Sequence, residues 1–280
     1  MAVNLVSKYL PYTDELFAKE SKKSLLTNQD FNWTGAHTVM IYSVTTAEMN
    51  DYDRPGTGSN VSRYGPIQGL DATTDELTLK KDRSFTFAID ALDKDETAAQ
   101  LEGATALARQ QREVVIPEID SYTYGVMCAR AGIKPDAIKL TATNIYDEII
   151  KANNALDNAG VPETSRVLVV TPDIYRLLKK CKEVVMETDI GNEMRLRGVI
   201  GYLDGLNVQK IPVSRLPEDF GFMVAHPCAT VAPTKLTDYF IHHNPPFING
   251  DLVEGRIVYD AFVLKNKAKA IYYQATTPAA

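Results

Sequence analysis

The amino-acid sequence predicts an α+β fold, and three stretches carry that prediction: a long helical run at 93–132, two β-rich runs at 37–46 and 77–89, and a buried strand at 166–170 that feeds straight into a capped helix. The chain has 280 residues, enough for one large domain or two closely joined ones, and 45% of it is hydrophobic, so it can bury a core.

Taken in order, residues 1–34 hold the anchors Leu25, Leu26, Phe31 and Trp33 without a strong period. They read as an arm lying on something else, or equally as a terminal segment docked on its own domain. Residues 37–46, HTVMIYSVTT, are β-branched and aromatic. Across 77–89 the positions Leu77, Leu79, Lys81, Arg83, Phe85, Phe87 and Ile89 alternate with mostly polar ones, which predicts one strand about twice the usual length. The polar stretch between the two runs, with RPGTGSN and YGPIQG, has the composition of turns. The expectation is a long two-stranded ribbon that needs a surface to lie against, either a partner subunit or its own sheet.

In the helical run, Leu101, Thr105, Ala108, Arg112, Val115, Ile119, Tyr122, Val126 and Ala129 step by four and three and predict the packed face. Asp93 is placed to cap, with Glu96 at the reciprocal position and Asp95 adding negative charge at the positive end of the helix dipole. Arg130 sits in the last turn and Gly132 is placed to close the helix in a left-handed conformation. At about 1.5 Å per residue the helix would be roughly 55–60 Å long. Pro117 predicts a kink within it, with the stripe keeping its phase.

Beyond Gly132, Ile145, Ile149, Ala152 and Leu156 share a helical face behind a Thr143/Asn144 cap, and NAGVPE ends that helix. RVLVV then runs into TPDIYRLLKKC, where Thr171 caps and Pro172 takes the first turn. Residues 182–205 are charged, with Gly198, Gly201 and Gly205 near the end, and read as an exposed loop closing in a turn. NVQKIPVSRLP, GFMVAHPCATVAP and TDYFIHH are short strand pieces. Residues 252–264 alternate as a long strand that packs Val253, Ile257, Tyr259, Ala261 and Val263 to one side and continues through KNKAKAIYYQ. On that continuation Lys265, Lys267 and Lys269 would line one face, either discouraging edge pairing or meeting acidic side chains of a neighbouring subunit.

With 30 basic and 36 acidic side chains the net charge is −6, and the pI of 5.3 argues against a nucleic-acid-binding module. Cys128, Cys181 and Cys228 are too few and too far apart for a disulfide framework or zinc knuckle, which points to a reducing interior. There is no signal-peptide core and no apolar run long enough to span a membrane.

Gly56-Thr57-Gly58 lacks the strand-to-helix context of a phosphate loop and reads as a loop tip. His242 and His243 are adjacent, so on a strand their rings face opposite ways, and with His226 and Cys228 they fit no zinc spacing. Glu118 and Asp120, two apart on a helix, point away from each other and read as a solvated or ion-paired face. Cys128 lies beside the apolar stripe and packs. No Gly-x-Ser-x-Gly elbow and no HExxH motif is present. The sequence assigns no catalytic, cofactor-binding or metal-ligating residue and predicts a protein that is not an enzyme.

The string QREVVIPEIDSYTYGVM, from Gln111 to Met127, resembles the kinked spine-helix segment of tailed-bacteriophage major capsid proteins of the Hong Kong phage-type capsid fold. The order of parts is similar too: arm, projecting hairpin, spine helix, then helix, buried strand and VVTPDIYRLLK, with GLNVQKIPVS and GRIVYDAFVLKNKAKAIYYQ resembling later strands. The resemblance implies an N-terminal arm at 1–35, an extended loop (a long β-hairpin) at 36–89, and a peripheral domain with the spine helix at 90–140. An axial domain at 141–235 follows, then peripheral return strands and a tail at 236–280. It implies a subunit that self-assembles through hexamers and pentamers into an icosahedral shell around double-stranded phage DNA, without sequence-specific binding. The implied setting is the virion capsid, assembled in the host bacterial cytoplasm. Portal and scaffolding proteins, and a decoration protein, are the implied partners; because Met1 stands close to the arm, any scaffold would be a separate protein. An encapsulin-type nanocompartment shell protein has the same fold and is the alternative. A soluble α/β enzyme using His226, His242 or His243 is the distant one.

Overall fold

The computed structural model describes residues 21, 23–28, 38–44, 47–56, 62–67, 69, 72–92, 103–181 and 201–277. Two compact units divide the chain, Trp33–Leu79 and the remainder. In the smaller unit, β1 (Thr38–Val44) and β2 (Ala72–Thr78) form an antiparallel ribbon, with Thr38 opposite Thr78, their hydroxyls 3.1 Å apart, and Val44 opposite Ala72.

The single strand expected over 77–89 is two strands. β2 stops at Thr78, and β3 (Lys81–Asp90) belongs to the larger unit, where it pairs antiparallel with β10 (Gly250–Tyr259) and not with β1. Alternation fixes which side chains share a face but says nothing about which strand is the neighbour. With β9 (Thr234–His243) on the other edge of β10, the sheet order is β3-β10-β9.

Helical backbone runs unbroken from α1 (Gly103–Gln110) through a π-helical turn (Gln111–Val115) into α2 (Ile116–Arg130). The distortion expected at Pro117 takes this form: the turn before it widens, with the Ile116 N–H donating to the Gln111 carbonyl five residues back, which relieves crowding by the proline ring. The extra residue in the turn shifts the phase. Upstream of it the buried positions are Gly103, Leu107 and Gln111, whereas the expected Thr105 and Arg112 are exposed. Downstream, Val115, Ile116, Ile119, Asp120, Thr123, Tyr124, Met127 and Cys128 are buried, Tyr122 and Val126 are partly so, and Ala129 is exposed. Across Pro117 the stripe keeps its phase from Val115 to Ile119, with Tyr122 partly buried, and the departure from the expected face lies upstream of the π turn. Leu101 and the caps proposed at Asp93, Asp95 and Glu96 lie outside the described residues, as do Phe31 and Trp33.

This long helix joins two cores. Leu107 packs with Tyr239 and Val253, and Val115 and Ile119 pack with Ile257 and Tyr259, all on the three-stranded sheet. Tyr124, Met127 and Cys128 pack instead on a five-stranded sheet, against Val167, Val169, Met223, Ala225 and Ile271. That sheet has the order β12-β7-β4-β6-β5, from β4 (Val167–Val170), β5 (Tyr202–Leu203), β6 (Leu206–Lys210), β7 (Phe220–Ala225) and β12 (Ile271–Ala275); only β4 and β6 run parallel. Its other face carries Leu168, Val170, Phe222, Val224 and Tyr272, packed against α3 (Ile145–Asn158) and α4 (Pro172–Lys180). With both faces covered, β4 and β7 are buried throughout, which is why RVLVV and GFMVA read as continuous apolar runs.

α3 buries Ile145, Ile149, Ala152 and Leu156, as expected. Its cap differs, since Asn144 does not accept from the helix: its Oδ1 takes the Thr141 N–H at 2.7 Å and its Nδ2 donates to the Lys139 carbonyl. The helix ends in a Schellman motif, with Gly160 at φ +70° and N–H bonds from Gly160 to Asp157 and from Val161 to Leu156. Thr171 does cap α4, accepting from the Ile174 N–H at 3.3 Å, with Pro172 in the first turn. Of the loop at 182–205, residues 182–200 lie outside the described set; Asp204 and Gly205, at φ +49° and +74°, turn β5 into β6.

Gly132 does not close the long helix in a left-handed conformation, because the chain leaves at Ala131 with φ −56° and ψ 135°. The glycine is needed for close approach instead. A Cβ there would lie 2.5 Å from the Ala268 carbonyl carbon and 2.6 Å from the Lys269 nitrogen. Gly132→Ala is expected to cost about 1–3 kcal/mol through forced backbone movement, read as a lower urea midpoint of the unassembled subunit. A midpoint equal to wild type would mean this crossing is loose.

The C-terminal strand is also corrected. β10 ends at Tyr259; β11 (Phe262–Val263) pairs with β8 (Thr230–Val231); residues Lys265–Ala270 form a 3-10 helix; and β12 crosses to the five-stranded sheet. Lys265, Lys267 and Lys269 thus stand on a tight helix and not on a strand face. KNKAKA alternates in polarity but lacks the β-branched and aromatic residues that favour a strand. Of the N-terminal segment, the described residues dock on the chain's own core: Leu26 is fully buried beside Tyr124 and Met127, and the Asn28 N–H donates to the Thr230 carbonyl.

Candidate functional site

The residues weighed for chemistry are dispersed. His226 Nδ1 accepts the Cys228 N–H at 3.2 Å, and burial lowers the pKa of the ring. His242 Nε2 is 3.4 Å from Glu254, and His243 Nδ1 is 2.6 Å from Asp251, so the neighbouring histidines take different carboxylates. No group of three His, Cys, Asp or Glu among the described residues could hold a metal. Burial pushes the Cys128 thiol up to about 12, as fits a packing residue. Gly56 donates its N–H to Asp53 Oδ1 at 2.9 Å in a local turn, and Thr57 and Gly58 lie outside the described residues.

Glu118 and Asp120 do point apart, and both are ion-paired. Glu118 meets Arg83 at 2.8 Å and accepts from the Tyr259 hydroxyl at 3.1 Å. Asp120 is fully buried on the other side, held by Arg215 at 3.0 Å and by the Ser21 hydroxyl at 2.9 Å. The sequence reading missed this cluster because it placed Asp120 off the packed stripe.

Lys23 belongs to the same cluster. Its side chain is partly covered but its ammonium has no solvent contact and no hydrogen-bond partner, and burial lowers its pKa to about 8 against an opposing pull from Asp120. The docked state therefore binds fewer protons than the free segment, so docking strengthens as pH rises from about 8 towards the ordinary lysine value of 10.5. Since burial outweighs the attraction to Asp120, Lys23→Met is expected to slow amide exchange of residues 23–28 at pH 7. Faster exchange would mean that the ion pair dominates.

A second polar seam ties the end of β10 to the start of β3. Asp260 accepts from the Tyr122 hydroxyl at 2.8 Å, the Lys80 N–H at 3.0 Å and the Ala261 N–H at 2.7 Å. The Tyr122 phenol is pushed up to about 12, by burial first and then by this bond.

Several large apolar side chains stand exposed on loops. The loop between β1 and β2 is locally ordered, with the Asp53 N–H on the Arg63 carbonyl and the Tyr52 and Tyr64 rings edge-on at 5.0 Å, yet Met49 is 99%, Ile67 88% and Tyr64 77% exposed. In the β9–β10 loop, Phe247 is 107% exposed and held at φ +72°. The loop is pinned by N–H bonds from Asn244 to Gly250, Ile248 to Pro245 and Ala91 to Asn249. Holding an exposed aromatic in the left-handed region costs about 1–3 kcal/mol. Phe247→Gly is expected to keep or slightly raise subunit stability while weakening self-association, as seen by sedimentation. Unchanged association would remove Phe247 from any interface.

No protein-family description matches the sequence, and no curated protein matches it. Solved structures match along most of its length. The capsid structure of cyanophage P-SCSP1u matches with a TM-score of 0.71 over 92% of this chain and 88% of that one, at 13% identity. A chain of Mycobacterium phage Che8 matches at 22% identity with a TM-score of 0.66, covering 92% and 90%. The chain has a phage capsid subunit fold. A virus-like particle from Pyrococcus furiosus matches as well, at 13% identity and a TM-score of 0.59, over 97% of this chain and all of that one. In this fold Tyr52, Tyr64 and Phe247 are exposed on two loops, while the ionisable groups weighed for chemistry are paired, capped or packed.

Proposed function

We propose that the chain is the major capsid protein of a tailed bacteriophage with the Hong Kong phage-type fold, a structural protein and not an enzyme. The observation that carries this reading is the match to phage capsid structures along about nine-tenths of both chains. The exposed apolar side chains Met49, Tyr64, Ile67 and Phe247 are consistent with surfaces that meet neighbouring copies. In this reading the arm spans 1–35. The extended loop spans 36–89, with β1 and β2 as its ribbon and β3 as its root. The peripheral domain, 90–140 and 236–280, consists of the long spine helix and the β3-β10-β9 sheet, and the axial domain, 141–235, holds α3, α4 and most of the five-stranded sheet, to which β12 returns.

The subunit would assemble through hexamers and pentamers into an icosahedral shell in the host cytoplasm, enclosing double-stranded DNA without sequence-specific contacts. Portal and scaffolding proteins, and a decoration protein, would be its partners. No helix among the described residues is long and apolar enough to cross a membrane. The test is size-exclusion chromatography with negative-stain microscopy on the chain expressed alone and with its neighbouring genes. Closed shells or rings of five or six are expected, and a stable monomer in both conditions would overturn the reading. The likeness to a virus-like particle favours a second reading, an encapsulin-type shell around a protein cargo, which shells purified with cargo protein and no nucleic acid would establish.

A further inference from the structure

The lysines at 265–269 form, with Arg130 and Lys134, a basic knuckle at the end of the long helix. The Gly132 N–H donates to the Ala268 carbonyl, which brings Arg130 and Lys134 beside the 3-10 helix, and all five cationic side chains are exposed. Arg83 and Arg215, by contrast, are paired with Glu118 and Asp120. Arg130, Lys134, Lys267 and Lys269 form no ion pair among the described residues, so the knuckle is a group of exposed cations close together.

The opposite charge is concentrated on the face of the β3-β10-β9 sheet that points away from the helix. There Asp82, Asp238 and Glu254 surround the lone guanidinium of Arg256, which sits opposite both Ser84 and Asp238 and bonds Asp82 at 2.6 and 3.0 Å. Ser84, Thr86, Asp238, Phe240, Glu254 and Arg256 line a depression of about 490 Å³ with Phe240 46% exposed at its rim. Arg256 is engaged by Asp82 at the edge of the depression, and Glu254 lies 3.4 Å from His242, so Asp238 and Glu254 are the carboxylates left to meet an incoming cation.

Resting on the shell reading, we propose that the basic knuckle of one subunit seats in the acidic depression of a second copy. Two complementary patches at different places on one chain make a heterologous contact, the kind that generates rings and shells rather than a closed pair. Charge complementarity of this sort sets register and encounter rate and weakens with salt.

The test uses two charge-reversed chains, Lys267→Glu/Lys269→Glu and Asp238→Lys/Glu254→Lys, each checked by circular dichroism for wild-type folding, and the chain carrying all four changes. Each reversed pair is expected to cut assembly, measured by light scattering at low salt, at least tenfold. Combining the four changes, or mixing the two reversed chains, is expected to restore it. Shells from either reversed pair at the wild-type rate, or no rescue in the combined chain, would overturn the contact while leaving the shell reading intact. So would normal assembly by Lys267→Glu/Lys269→Glu with loss of binding to a labelled DNA oligonucleotide, which would make the knuckle a polyanion site. A wild-type chain that never assembles would instead overturn the shell reading, and this contact with it.

Discussion

Asp120→Ala is expected to destabilise the subunit by about 3–5 kcal/mol, because it strips the counter-charge from a buried cluster and leaves its cations in place. The carboxylate is fully buried, bonds Arg215 at 3.0 Å and Ser21 at 2.9 Å, and is the charge that partly offsets the burial of Lys23. Without it, Arg215 loses its ion pair and Lys23 loses the attraction that offsets its burial, beside the apolar cluster of Tyr124, Met127 and Leu26. For a chain of this size that is a fall in Tm of roughly 10 °C. Removing the cation as well should help: Asp120→Ala with Lys23→Met is expected to recover part of the loss, giving a coupling energy in a double-mutant cycle. A loss below about 1 kcal/mol for Asp120→Ala would mean that water reaches the cluster and that it holds nothing together.

Deleting residues 51–71 and joining the ends of the ribbon with a short flexible turn is expected to abolish shells while leaving a folded, soluble subunit. The deleted residues belong to the smaller compact unit, Trp33–Leu79, and include Tyr52, Tyr64 and Ile67, all largely exposed. The core clusters of the larger unit are built from residues of that unit, among them Leu107, Val115, Tyr124 and Ile145. The thermal midpoint should therefore stay within a few degrees of wild type. Assembly should fail, because a loop whose apolar side chains Tyr52, Tyr64 and Ile67 are exposed contributes binding area and not folding energy. Normal shells from the shortened chain would count against a role for this loop in assembly. An unfolded subunit would show that the loop supports its own fold.

Much of the local structure was legible from residue types. Ile145, Ile149, Ala152 and Leu156 stand on one helical face and are all buried, and Thr171-Pro172 starts α4 as the spacing predicts. The helical stripe was only half legible. A π turn adds one residue to a pattern that assumes 3.6 per turn, so the upstream face falls on Leu107 and Gln111, one position away from Ala108 and Arg112.

The sequence alone determined most of the element types, such as the helices at Ile145–Asn158 and Pro172–Lys180, because helix periodicity, capping and β-branched alternation are interactions within a few residues of chain. It also determined the overall order of parts that resembles phage capsid subunits. Only the tertiary structure decided the partners. It put β3 beside β10 and not β1, sent β12 to the five-stranded sheet, turned the lysine row into a 3-10 knuckle and buried Asp120 with Arg215 and Lys23. Each of those pairings joins residues far apart in the chain, and the pattern of one segment carries no information about which distant segment will satisfy it.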